Sequence, residues 1–122
     1  MKIENIKFKA KSTLDGAWVQ GDLIHKEDGR IAILRNGFNV SEVDPSTVCQ
    51  FTGLKDCRGE ELFEHDLIHF IGFRHTAELI WSEDNYAFMI VCENKHLCWL
   101  HDVIEVSKIE RIGNKFDKES SV

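Results

Sequence analysis

The sequence contains no apolar run near the roughly eighteen residues that a membrane-spanning helix requires, so no such span is expected. It has no glycine-rich phosphate loop and no dinucleotide fingerprint. A basic excess is missing too: Lys and Arg number 15 against 21 Asp and Glu, a net charge of −6. That field opposes generic phosphate binding, the usual footing of a nucleic-acid partner. The opening Met-Lys-Ile-Glu-Asn-Ile-Lys-Phe alternates charged and apolar residues, unlike a signal or transit peptide. The expectation is a protein of the cytoplasm with no membrane contact. No linker or low-complexity tract appears. One domain is expected over 1–117, followed by a polar tail at 118–122 that frays.

What is present is the material of a globular β protein. A chain of 122 residues can bury about two thirds of its unfolded surface without staples. Eight Phe and three Trp, with many β-branched residues, favour sheet over helix. Ile6, Phe8 and Ala10 alternate with Lys7 and Lys9, as in a half-buried strand. Trp18 to His25 reads as a second strand, with Gly21 marking a bulge or a close backbone approach. Asp28-Gly29 is a hairpin signal of the type I′ kind, and Asn36-Gly37 repeats it. Asp44-Pro45-Ser46 opens a turn suited to a single helical turn. Thr47 to Phe51 is extended, and Gly53 to Gly59 reads as a loop. Leu62-Phe63 and Leu67-Ile68 flank a tight turn at Glu64-His65-Asp66. Strands are expected at 77–81, 86–91 and 97–100. Val103 to Ile112 suits either a strand broken near Ser107-Lys108 or a short helix. The predicted fold is mostly β: one small SH3-like barrel or strongly bent antiparallel sheet, with at most one or two short helices.

A short echo links Gly21-Asp22-Leu23-Ile24-His25, His65-Asp66-Leu67-Ile68-His69 and His101-Asp102-Val103-Ile104. Its physical reading is an Asp that ends a turn before an apolar strand enters the core.

Chemistry-bearing groups are sparse. Cys92, His96, Cys98 and His101 lie within ten residues, and zinc favours such ligands at short spacing. The plainer reading makes the two cysteines small core residues and puts His96 in a turn around Asn94-Lys95. A two-residue turn there sets Cys92 against Leu97. Only a three-residue turn centred on Lys95 sets the thiols opposite each other. Cys49 and Cys57 complete the set, and free thiols are the default without an export signal. His65 and His69 would sit about 13 Å apart along a strand, too far to share one ion. The acidic pairs Glu60-Glu61, Glu64 with Asp66, and Glu83-Asp84 fall in turns, where carboxylates normally face water. Ser46 and Ser82 lack a nearby base. No catalytic residue, no metal ligand and no cofactor is therefore expected. Trp18, Trp81 and Trp99 read as core anchors rather than a base-stacking platform.

The run Val43-Asp44-Pro45-Ser46-Thr47-Val48-x-Gln50-Phe51-Thr52-Gly53-Leu54-Lys55-Asp56-x-x-Gly59, followed by Glu64-x-Asp66-Leu67-Ile68, resembles the YopX family of small proteins encoded largely by phages and prophages. Ile6 to Ala10, Gly16-Ala17-Trp18-Val19-x-Gly21-Asp22-Leu23-Ile24 and the closing Ile112-Gly113-Asn114 are similar to it as well. The resemblance implies a mostly β fold, a mobile-element origin and no established activity. Gln50, Thr52, Gly53, Leu54, Asp56, Gly59 and Asp66 form its structural signature. The family usually has Gly at positions 49 and 65 and Asn at 58, where this chain has Cys49, His65 and Arg58. It also lacks the usual Glu-Asn-Pro continuation after Asn114.

Two function classes follow. One is a non-catalytic protein-binding or assembly module acting in phage or prophage biology in a bacterial cell. The other is a nucleic-acid-binding small β-barrel that uses a basic face at Lys2, Lys7, Lys9 and Lys11. A metal-binding protein or hydrolase ranks third. The dense apolar segments 77–81 and 86–91 also predict a homo-oligomer, with Phe88 and Met89 as candidate interface residues, since a strand apolar on both sides needs cover on both faces.

Overall fold

In a computed structural model that describes residues 2–37, 39–72 and 75–117, the chain is built almost wholly of antiparallel strands. It divides into two compact units, Met1–Phe51 and Thr52–Val122. The expected tail at 118–122 lies outside the described residues.

In the first unit β1 (Phe8–Lys11), β2 (Trp18–His25), β3 (Ile31–Arg35) and β4 (Asn39–Val43) follow one another as a meander. The first residues of β5 (Cys49–Lys55) pair with β1 on its other side, Phe8 opposite Gln50. Ala10, Val19, Ile33 and Val43 form the core of this unit, with Phe8, Leu23, Ile31 and Val48 packed around them. Gly21 is the close approach the sequence suggested. A Cβ built there would lie 2.1 Å from the Leu34 carbonyl oxygen, so only glycine lets β2 and β3 meet at that point. Asp44 caps the helical turn at Pro45–Thr47 by accepting from the Ser46 N–H.

The second unit carries the rest of β5, then β6 (Glu61–Phe63) and a five-stranded sheet. That sheet runs in the order β10 (Lys95–Trp99), β9 (Ala87–Cys92), β8 (Ala77–Ser82), β7 (Asp66–Phe70) and β11 (Ile109–Asn114). One short helix, α1 (Leu100–Val103), precedes β11. Leu62, Ile68, Ala77, Leu79, Ile90, Leu100 and Ile109 make the core, joined by Leu54, Phe70, Phe88, Val103 and Ile104.

The bent-sheet form of the expectation holds. Two antiparallel sheets form, and no closed barrel occurs among the described residues. Several details change. Asp28 does not have positive φ; only Gly29 does, at +90°. Gly29 N–H donates to Lys26 O while Lys26 N–H donates to Arg30 O, the three-residue hairpin of a type I turn closed by a left-handed glycine. At Asn36-Gly37 both residues are left-handed, as expected. β5 continues through Gly53 (φ +85°) to Lys55, so the loop shrinks to the turn at 56–60. The hairpin between β9 and β10 turns at Glu93-Asn94, both with positive φ, one residue earlier than expected. It sets Cys92 opposite Lys95 and, after a bulge, Cys98 opposite Ile90, so the thiols do not face each other and all four cysteines are free. The 103–112 segment is divided: α1 ends at Val103 and β11 starts at Ile109. The echo is not structural repetition. Asp66 opens β7, but Asp22 lies inside β2 and Asp102 lies in α1.

Candidate functional site

Most of the signature residues build a structural node within the second unit. Six of the seven lie in the second unit, and Gln50 lies in the first. Thr52 Oγ1 donates to Leu62 O at 2.8 Å and accepts from Leu54 N–H at 3.1 Å. Gly53 and Gly59 both have φ +85°. Asp56 holds the 56–60 turn by accepting the N–H groups of Arg58 and Glu60 on one oxygen, each at 2.9 Å. Its other oxygen takes the Arg111 N–H of β11 at 2.8 Å. Burial pushes the Asp56 carboxyl up, but the three backbone donors, Arg111 foremost, outweigh it and hold the group below the usual value.

Asp66 corrects the expectation that the turn acids face water. Its side chain is fully buried, because its two oxygens meet three donors: Phe63 N–H at 2.8 Å, Asn114 Nδ2 at 2.9 Å and Arg111 Nε at 3.0 Å. A buried carboxylate stands only when so satisfied. The Ile112-Gly113-Asn114 element thus contributes a tie as well as a strand end. His65, where the family usually has Gly, does adopt left-handed backbone, φ +69°. Its Nδ1 lies 2.8 Å from Glu78 Oε2, and its ring meets Phe116 edge-on. Arg58, at the family's Asn position, donates to the Arg111 carbonyl at 3.1 Å. Sequence reasoning marked Asp56, Asp66 and, in the closing element, Asn114, but missed Arg111 and the ties between them, since partners about fifty residues away leave no local pattern.

The metal quartet does not converge. Cys92 and Cys98 pack against the core, whereas pairing with Val91 puts His96 on the other side of the sheet. His96 and Trp99 rings lie 4.5 Å apart, and His101 is exposed on α1. Burial, and then the Asp102 carboxylate, push the Cys98 thiol up, the reverse of what a thiolate ligand or nucleophile needs. Among the described residues no three His, Cys, Asp or Glu side chains form a metal-sized group.

The tryptophans are half-buried and none is in the buried core clusters, which corrects the anchor reading for Trp18 and Trp99, whereas Trp81 stands on the core side and meets Phe88 edge-on. Lys9 and Lys11 are only 8% and 7% exposed. Their ammonium groups lie 4.8 and 5.6 Å from the centre of the Trp18 ring, and Lys7 lies 4.7 Å from that of Phe51. These lysines cover aromatic rings of their own unit.

The remaining feature is the outer face of the five-stranded sheet. Strand alternation and register settle it. Leu79 opposite Ile90 and Trp81 opposite Phe88 put Phe88 on the core side. Ile80, Met89 and Trp99 then stand in one row on the opposite side, across β8, β9 and β10. Leu67, Glu78, Val91 and His96 form the next row. The five apolar members are half-buried and do not join the core cluster. Phe88 and Met89, paired as candidate interface residues, therefore face opposite ways.

No helix among the described residues is long and apolar enough to cross a membrane. Comparison with curated proteins finds no match. The family model described as YopX protein matches residues 4–119, which takes in the Asp56–Arg111–Asp66 node and the closing Asn114 tie. The chain belongs to the YopX family.

Proposed function

We propose that this chain is a non-catalytic protein-binding or assembly module that works in the cytoplasm of a bacterial cell carrying the parent phage or prophage. It docks through the outer face of the five-stranded sheet. The observation that carries this reading is the row Ile80–Met89–Trp99, with Leu67 and Val91 beside it: large apolar side chains, side by side, on the side away from the core. Contiguous apolar surface of this kind marks interaction sites. Asp66, one of the paired acids, is held at its strand start by Phe63 N–H and Asn114 Nδ2, which speaks against its use in hydrolysis. The coverage of Trp18 by Lys9 and Lys11 speaks against a free basic face for nucleic acid.

Affinity capture from cells carrying the parent element tests the reading, with wild type compared against Met89→Asp. Loss of the same retained protein on substitution, with circular dichroism unchanged, is expected. Equal retention by both would overturn docking on this face.

A further inference from the structure

We infer that the partner on this face is a second copy of the chain, related by a two-fold axis running along β9 in the plane of the interface; this rests on the docking reading above. The two rows decide the geometry. Reading across β8, β9 and β10, one row is Ile80–Met89–Trp99 and the other is Glu78–Val91–His96.

A closed dimer uses the same patch twice. Two-fold rotation about an axis along β9 keeps each row level with itself and exchanges its ends. Met89 then lies over Met89 and Val91 over Val91. Ile80 of each copy lies over Trp99 of the other. Glu78 of each copy lies over His96 of the other, so an imidazole N–H meets a carboxylate at both edges. Glu78 has capacity for this, because its contact with His65 uses Oε2 and leaves Oε1. Faces of packed sheets stand about 10 Å apart, a gap that Glu and His side chains span together. A perpendicular in-plane axis passing between the two rows would instead lay one row over the other. Glu78 would then press on Ile80 and His96 on Trp99, burying polar groups against apolar ones without partners. The rows are self-complementary about one axis and mismatched about the other.

Light scattering and sedimentation on the purified chain at tens of micromolar test this. A dimer mass is expected, and Met89→Asp should reduce it to monomer with the fold retained. His96 is exposed, so its substitution leaves folding intact and reports the axis. His96→Glu should weaken the dimer about tenfold by facing Glu78 of the other copy, whereas His96→Lys should leave dimerisation intact or tighten it. Equal weakening by both charges would overturn the axis, since over Trp99 their sign is immaterial. A strictly monomeric wild type would overturn the second copy as partner. In that case Met89-dependent capture of a different protein would still uphold the docking face.

Discussion

Two turns of this protein share a backbone plan and differ in what their aspartate does. In Lys26–Arg30 and in Asp56–Glu60 the first residue donates its N–H to the fifth, and a left-handed glycine in the fourth place donates back to the first. In the first turn the acid stands third: Asp28 accepts from Arg30 N–H and pairs with its guanidinium at 2.7 Å, exposed to water. In the second it stands first, so Asp56 faces into the turn, takes two N–H groups there and keeps an oxygen for Arg111. Cys57 N–H also donates to Ile109 O. The first aspartate is satisfied within its own turn, whose Arg30 also reaches Glu42 of β4 at 3.1 Å, and the second is pinned to a strand fifty residues away. The position of the carboxylate within the turn, rather than the turn type, separates a surface hairpin from a tertiary anchor.

The comparison can be broken most severely through Arg111, which serves Asp56 with its N–H and Asp66 with Nε. Asp66→Ala should cost about 3–5 kcal/mol, because it strands a guanidinium and two further donors; urea denaturation measures it. Asp56→Ala should cost about 2–3 kcal/mol, the worth of hydrogen bonds to a charged acceptor. Asp28→Ala should leave the denaturation midpoint within the scatter of surface substitutions. Equal effects at 28 and 56 would erase the distinction. Gly29→Ala and Gly59→Ala should cost alike, about 1–2 kcal/mol, since both have φ near +90° and neither Cβ would meet an atom within 4 Å.

Acid should loosen the second turn more gently than substitution does. Asp56 is held below the ordinary aspartate value of 3.8. Its contribution is therefore full above that value and is lost as pH falls through the lower folded one. Stability profiles of wild type and Asp56→Asn should converge on acidification below about pH 4. A difference that grows there would reverse the sign.

Much of this was legible in the sequence. Asp28-Gly29 and Asn36-Gly37 announced hairpins, Pro45 announced a helical turn, and the dense apolar runs at 77–81 and 86–91 announced strands. The failures have one physical origin. Asp66 looked like a solvated turn acid because its donors, Arg111 and Asn114, arrive from a distant strand. Phe88 and Met89 looked equivalent because alternation says that neighbours face opposite sides, but not which side holds the core. Trp18 looked like an anchor because nothing local announces that Lys9 and Lys11 will lie across it.

The dependence of Asp56 and Asp66 on residues 111–114 bears on the order in which the chain is made. During synthesis the 56–60 turn and the start of β7 leave the ribosome about fifty residues before the groups that satisfy them. Until then both carboxylates have only water and the nearest amides for company. The five-stranded sheet likewise lacks its β7 neighbour, an open strand edge of the kind that invites wrong pairing. Completion of the second unit is therefore a late event, set by emergence of the β11 segment rather than by local turn formation, while the β1–β4 meander pairs neighbours as they appear.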